Sequence, residues 1–327
     1  MRCVVTPGDG SLSVEDRPSP RPGPGEVRVR VESAGLNRAD LLQRAGLYPA
    51  PPGVPADVPG LEFAGRVVEQ GEDVTEPTVG ARVFGITAGG GQASEIVVAA
   101  AHCAPAPENL DPVAAGGVPE VFLTAHDALR TRARLAPGER VLVHAVGSGV
   151  GTAVVQLARA WGCPSVGTAR TEDKLRRAEA LGLGAGVLAP REFAPLDLAD
   201  AIIGAAGGPI DVTADLVGGD YVTADVLAAA VGGRIVLIGT LAGGRSDLPL
   251  LAVMSKRLTI HGTVLRPRTL AEKAAATAAF TAEVVPLLAS GAVAPVIDTV
   301  LPLEEAEAAY ELLASDSTFG KVVLDCR

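Results

Sequence analysis

The chain has 327 residues, 48% of them hydrophobic and 20% charged, which suffices for two domains with sizeable cores. A formal charge of −10 and an isoelectric point near 5.0 exclude a nucleic-acid or anionic-membrane partner gripped by a broad basic surface, so any anionic ligand needs a local positive site. Cys3, Cys103, Cys163 and Cys326 lack C-x-x-C spacing and no signal peptide follows Met1, so a reduced, cytoplasmic protein is expected.

In chain order, the proline-rich "SPRPGPGEVRVRVESAGLN" feeds a strand in which Val27, Val29 and Val31 alternate with Arg28, Arg30 and Glu32, the half-exposed pattern of an antiparallel sheet. "LEFAGRVVEQG", "GARVFGI" and "ASEIVVAAA" continue in short strands, which makes residues 1–117 a β-rich domain. Over 118–262 helical segments alternate with apolar strands, among them "ERVLVHA", "CPSVGTA", "PIDVTADLVGG" and "GGRIVLIGTLAGG". That alternation is the α/β, doubly wound parallel-sheet pattern. The most apolar stretch, Val226 to Leu241, is cut by Gly232, Gly233 and Arg234, which disqualifies it as a membrane span. From 263 the pattern changes again: "LAEKAAATAAFTAEVVPLLASG" reads as one long helix. "VAPVIDTVLPL" follows, then a helix through "EEAEAAYELLAS" and the strand "GKVVLDC". That strand resembles those of the opening third, so residues 263–327 are expected to return to the first domain.

The stretch with most chemistry is "HAVGSGVGTAVVQLARAWG", residues 144–162. An apolar strand precedes it, and Val154, Val155, Leu157, Ala158 and Trp161 recur after it at helical spacing. A strand, a glycine turn and a helix amino terminus together make an anion site, because unpaired amides and the positive dipole end face the turn. Gly147, Ser148, Gly149, Val150 and Gly151 are therefore the candidate residues for a pyrophosphate. The register is imperfect: a G-x-G-x-x-G reading that ends on Gly151 puts Val146 and Ser148 at its first two glycines, and the alternative is a simple tight turn. The next strand ends in Gly167, Thr168, Ala169, Arg170 and Thr171, with no acid before Glu172 to bind the ribose hydroxyls of NAD. Arg170 and Lys174 are placed for a 2′-phosphate, which points to NADPH; the alternative is that they join Arg176 and Arg177 on a solvated helix face.

Together with "AGLNRADLLQRAGLYPAPPG", "PGLEFAGRV", "GGGQASE", "VPEVFLTAHDAL" and "FGKVVL", this loop resembles the medium-chain dehydrogenase/reductases over essentially the whole chain, and within them the zinc-free quinone oxidoreductases, the zeta-crystallin-like group. The resemblance implies a GroES-like catalytic domain interrupted by a Rossmann domain, usually in a homodimer. Zinc-dependent relatives carry a cysteine where Asn37 stands and G-H-E where this chain has Gly60, Leu61 and Glu62, so no metal is expected. The simplest reaction is then hydride donation from NADPH to a small electrophilic acceptor, a quinone or an enone, with the protein orienting it and offering a hydrogen bond to the developing oxyanion. Tyr48 is the candidate donor, the alternative being an aromatic packed on the following prolines. By resemblance Asn37 and Asp40 line the catalytic pocket, and Ser148 contacts a phosphate or the substrate edge. Thr124 and Lys321 reach the cofactor, while Gly239, Thr240 and Leu241 flank its ribose. Gln43 reads as solvent-facing, Lys321 alternatively as a surface charge, and Arg266 and Arg268 as closing over the substrate or lying outside it. His144, at a buried strand end, reads as a satisfied core histidine. Competing functions are reduction of an activated C=C in an enone or enoyl thioester, and a low-turnover NADPH-binding protein.

Overall fold

Alternating valines give a strand one dry face, and the first of two compact units is built on such strands. A computed structural model describes residues 1–327 and divides into Met1–Leu123 with Leu265–Arg327, and Thr124–Val264. In the first unit β1 (Arg2–Val5) pairs with β2 (Ser13–Asp16). The main sheet begins with β3 (Glu26–Gly35), whose Val27, Val29 and Val31 are buried as the alternation predicts. Helix α1 (Arg38–Arg44) follows, then β4 (Glu62–Gln70), β5 (Arg82–Ile86), β6 (Glu95–Ala99) and β7 (Cys103–Pro105), all antiparallel. A short α2 (Pro112–Ala115) leads to α3 (Pro119–His126) and a π-helical turn over Asp127–Arg132 that sequence periodicity does not signal.

The second unit runs β8 (Val141–Val143), α4 (Gly149–Ala160), β9 (Ser165–Ala169), α5 (Glu172–Ala180), β10 (Ala185–Leu188), α6 (Pro195–Ala206), β11 (Ile210–Asp215), α7 (Asp220–Ala228), β12 (Ala229–Leu237), α8 (Leu250–Ser255) and β13 (Thr259–Gly262). Its six strands are parallel in the order β10-β9-β8-β11-β12-β13, the doubly wound arrangement with its switch point between β8 and β11. Val141, Leu142 and Val143 are fully buried, as strands covered on both faces require.

The chain then returns to the first unit. The long helix expected over 270–291 is two: α9 (Leu270–Glu283) and α10 (Val285–Ala289), because Pro286 has no N–H to continue the ladder. After β14 (Ile297–Pro302) and α11 (Ala306–Ala314), the last strand, β15 (Lys321–Asp325), pairs antiparallel with β3 and parallel with β14. Tyr310 of α11 packs with Val322 and Leu324 into the core over β3. The four cysteines are free, and no helix is long and apolar enough to cross a membrane.

Candidate cofactor and substrate sites

In the nucleotide unit the glycine turn joins β8 to α4 at the switch point. Ser148 is the N-cap of α4: its hydroxyl accepts from Gly151 N at 3.0 Å and donates to Ala145 O at 2.8 Å. Its one O–H is therefore donated within the turn. Packing requires Gly151, because a Cβ there would lie 2.4 Å from Ala145 O and 2.8 Å from the Val146 Cα. Ala145 itself is held at φ 54°, a conformation an alanine adopts only when its surroundings impose it. Gly149 and Val150 open the helix, so their amides have no intrahelical acceptor and the dipole end faces outward. Those amides, beside Gly147, are what fits a dinucleotide pyrophosphate.

The strand ends sort the remaining candidates. Arg170 is exposed just beyond β9, and Lys174 is half-buried in the first turn of α5, whose N-cap is Thr171. Thr168 is fully buried, and its hydroxyl lies 2.8 Å from His144 Nδ1. Beyond β12, Gly239 bonds through its amide to Asp215 O at 3.3 Å, whereas Thr240 and Leu241 are exposed. Thr124 is buried in α3. His144 is satisfied on both nitrogens, with Nε2 2.8 Å from Asp225 Oδ1 and the Tyr221 ring edge-on at 4.7 Å. Burial pushes the Asp225 carboxyl up to about 6 against the pull of the imidazole. Asp215 at the end of β11 accepts from Val217 N and Gly218 N at 2.7 and 3.0 Å, which shapes the turn beside the switch point. Sequence reasoning missed Asp225 and Asp215; the available signal is an acid inside an otherwise apolar run.

In the other unit, β3, α1, β4 and β15 converge on one buried ion pair. Glu62 is completely buried; its Oε1 accepts from Lys321 Nζ at 2.7 Å and Asn37 Nδ2 at 2.9 Å, and its Oε2 from Glu120 N at 2.8 Å. Lys321 also donates to Asn37 Oδ1 at 2.8 Å and to Leu36 O, so all three ammonium protons have acceptors. This corrects the reading of Lys321 as a surface charge, since the side chain is buried. Gly35 must be glycine here, since a Cβ would stand 2.4 Å from Glu62 Oε1.

Asn37 and Asp40 are likewise committed inward. Asp40 is fully buried and accepts from Asn37 N at 2.8 Å and Gly60 N at 3.2 Å, an anchor between α1 and the loop before β4. Burial raises its carboxyl to about 6. Glu120, in the first turn of α3, is pushed up to about 8 by burial and then by the Glu62 charge, with Lys321 pulling the other way. Nothing in the sequence singles Glu120 out except its solitary charge in "VPEVFLTA".

Tyr48 is half-buried just beyond α1. The Arg266 guanidinium lies over its ring, 4.8 Å from the centroid, and burial raises the phenol above its ordinary value while that cation lowers it. Arg266 does not lie outside: it is buried and donates to Gln43 Oε1 at 2.6 Å. Gln43, expected to face solvent, is buried with it.

Comparison with known proteins gives the chain a family. Residues 23–108 match the alcohol dehydrogenase GroES-like domain, and residues 195–324 the family described as zinc-binding dehydrogenase. A quinone oxidoreductase of Lama guanicoe is 33% identical over 90% of this chain and 87% of its own length. The chain belongs to the medium-chain dehydrogenase/reductase superfamily. Its GroES-like and Rossmann units are those of that superfamily. The solved quinone oxidoreductase of Thermus thermophilus, described with its NADPH complex, is 33% identical with a TM-score of 0.81 over 99% of this chain and 100% of the other. A solved CurK enoyl reductase is 26% identical with a TM-score of 0.85 over 99% and 98%. The pikromycin polyketide synthase component PikAII of Streptomyces venezuelae is 40% identical over 54% of this medium-chain dehydrogenase/reductase, which spans only 4% of that relative's length. Despite the zinc-binding description of one matched family, the donor set here does not fit zinc. No three His, Cys, Asp or Glu side chains are grouped to hold a metal, and the oxygens of Asn37 and Glu62 already surround an ammonium.

Proposed function

We propose that this chain is an NADPH-dependent oxidoreductase that reduces small quinones without a metal ion. The observation that carries the reading is the Lys321 ammonium held between Asn37 Oδ1 and Glu62 Oε1, because Asn37 stands where zinc-dependent relatives carry a metal-binding cysteine. With that set closed, polarisation of a substrate carbonyl falls to a hydrogen-bond donor, and an acceptor that is already electrophilic is the natural substrate. NADPH, when bound, supplies the hydride. The Gly149 and Val150 amides take the pyrophosphate, Arg170 and Lys174 the 2′-phosphate. Tyr48 offers its ring as a wall for a flat acceptor and its O–H to the oxygen that gains negative charge. The likeness to an enoyl reductase and to a section of a polyketide synthase supports a second reading, in which the same donor serves an activated C=C.

The test follows NADPH oxidation by chelator-treated protein with ortho- and para-quinones beside enones and enoyl thioesters. Faster turnover of quinones, undiminished by chelation and lowered about 100-fold in Tyr48→Phe, is the expected result. A preference for enoyl thioesters would transfer the assignment to the second reading, and NADPH binding without turnover of any acceptor would refute both.

A further inference from the structure

Arg266 is a buried cation whose hydrogen bonds all go to neutral acceptors, with the Asp40 and Glu120 carboxyls acting on it from a longer distance and Glu120 acting on Tyr48 as well. It is 4% exposed, and its contacts are three neutral acceptors and a ring: Nε donates to Ala88 O at 2.8 Å, Nη1 to Tyr48 O at 2.9 Å and Nη2 to Gln43 Oε1 at 2.6 Å, with Tyr48 stacked at 4.8 Å. A buried guanidinium with no carboxylate in hydrogen-bond contact depends on its neutral acceptors and the ring it covers, so the fork and Tyr48 are held together as one unit. The arrangement is itself supported from beneath. Lys273 of α9, also 4% exposed, donates to Arg266 O at 2.8 Å and Arg268 O at 2.5 Å, which fixes the turn that presents the guanidinium. Gln43 is anchored in turn by donation to Ala56 O at 3.2 Å.

We propose that Arg266 is the positioning residue of Tyr48: it fixes the phenol through the Tyr48 carbonyl and ring face, and it holds the positive charge toward which negative charge on the phenol, or on a substrate oxygen bonded to it, develops. The inference rests on Tyr48 being the donor. A fork that binds carbonyl, amide and ring at once is work for a planar guanidinium and not for an ammonium. One face of the Tyr48 ring is covered by this fork, so a flat acceptor is directed to the other face or the hydroxyl edge.

The experiment is a double-mutant cycle of Tyr48→Phe and Arg266→Met, read as kcat with a para-quinone and as NADPH affinity, with Arg266→Lys alongside. Arg266→Met should lower kcat on the order of 100-fold with NADPH affinity unchanged, as loss of placement does. In the Tyr48→Phe background it should add almost nothing, and Arg266→Lys should recover only part of the rate. The Tyr48 13Cζ resonance, assigned by its absence from Tyr48→Phe, should titrate at higher pH in Arg266→Met than in wild type. Losses that multiply in the double variant, or an unmoved Tyr48 titration, would overturn the inference. Unchanged turnover in Tyr48→Phe alone would instead remove the donor role of Tyr48, and the titration would still decide whether Arg266 acts on the phenol. Should Arg266→Met not fold, Lys273→Met releases the turn without emptying the Tyr48 contact, and it must lower kcat and raise the Tyr48 titration for the inference to stand.

Discussion

Glu62 lies in a dry interior with both oxygens occupied, by an ammonium, an amide side chain and a backbone N–H. Glu120, which lends that N–H, has no such company for its own carboxyl and is held near 8. The folded value lies above the ordinary 4.5, so the fold favours the protonated acid. Its contribution is fully present below about 4.5 and is lost as pH rises toward 8. Glu120→Gln mimics the neutral form, so its melting temperature should match wild type near pH 4.5 and exceed it increasingly up to pH 8. Melting curves that run parallel across that range would show Glu120 to be solvated and ordinary. None of this was legible in the sequence, where Glu120 is one acid at a helix start. Tyr48 was legible as a candidate from its ring and phenol, but the cation over its ring was not.

Helix α4 shows what a loop pattern conveys. The turn from strand to helix was plain in "HAVGSGVGTAVVQLARAWG", because periodicity switches from an apolar run to helical spacing across it. The division of labour among its small residues was not, since Gly151 answers to Ala145 O and Val146, and Ser148 to the helix end. Gly151→Ala should therefore destabilise the chain by about 1–3 kcal/mol, read as a lower urea midpoint at unchanged slope. A midpoint equal to wild type would mean that the turn has room there. A single proline likewise decides the tail: Pro286 splits α9 from α10 although the apolar pattern runs through both.

The whole molecule carries a charge of −10 and yet is proposed to bind a polyanionic cofactor, so recognition has to be local. At a hundredfold excess over its dissociation constant, NADPH should stabilise the fold by about 2.7 kcal/mol. NADH at the same concentration should raise the melting temperature less, and Arg170→Ala should narrow that gap. Equal shifts by the two cofactors in wild type would remove the 2′-phosphate reading and leave the pyrophosphate site intact.

By itself the sequence determined the α/β class, the order of β-rich and doubly wound segments and the strand–glycine–helix unit, because each is set by periodicities of two or 3.6 residues within a short window. Only the tertiary structure decided what the polar side chains do. Lys321 meets Asn37 across 284 positions, and Arg266 meets the Tyr48 carbonyl across 218. Those meetings depend on β15 pairing with β3 and on the turn before α9 being fixed by Lys273, and no local pattern encodes either. A buried polar group takes whatever partner the packed elements bring within hydrogen-bond distance, so its role follows from the assembled fold.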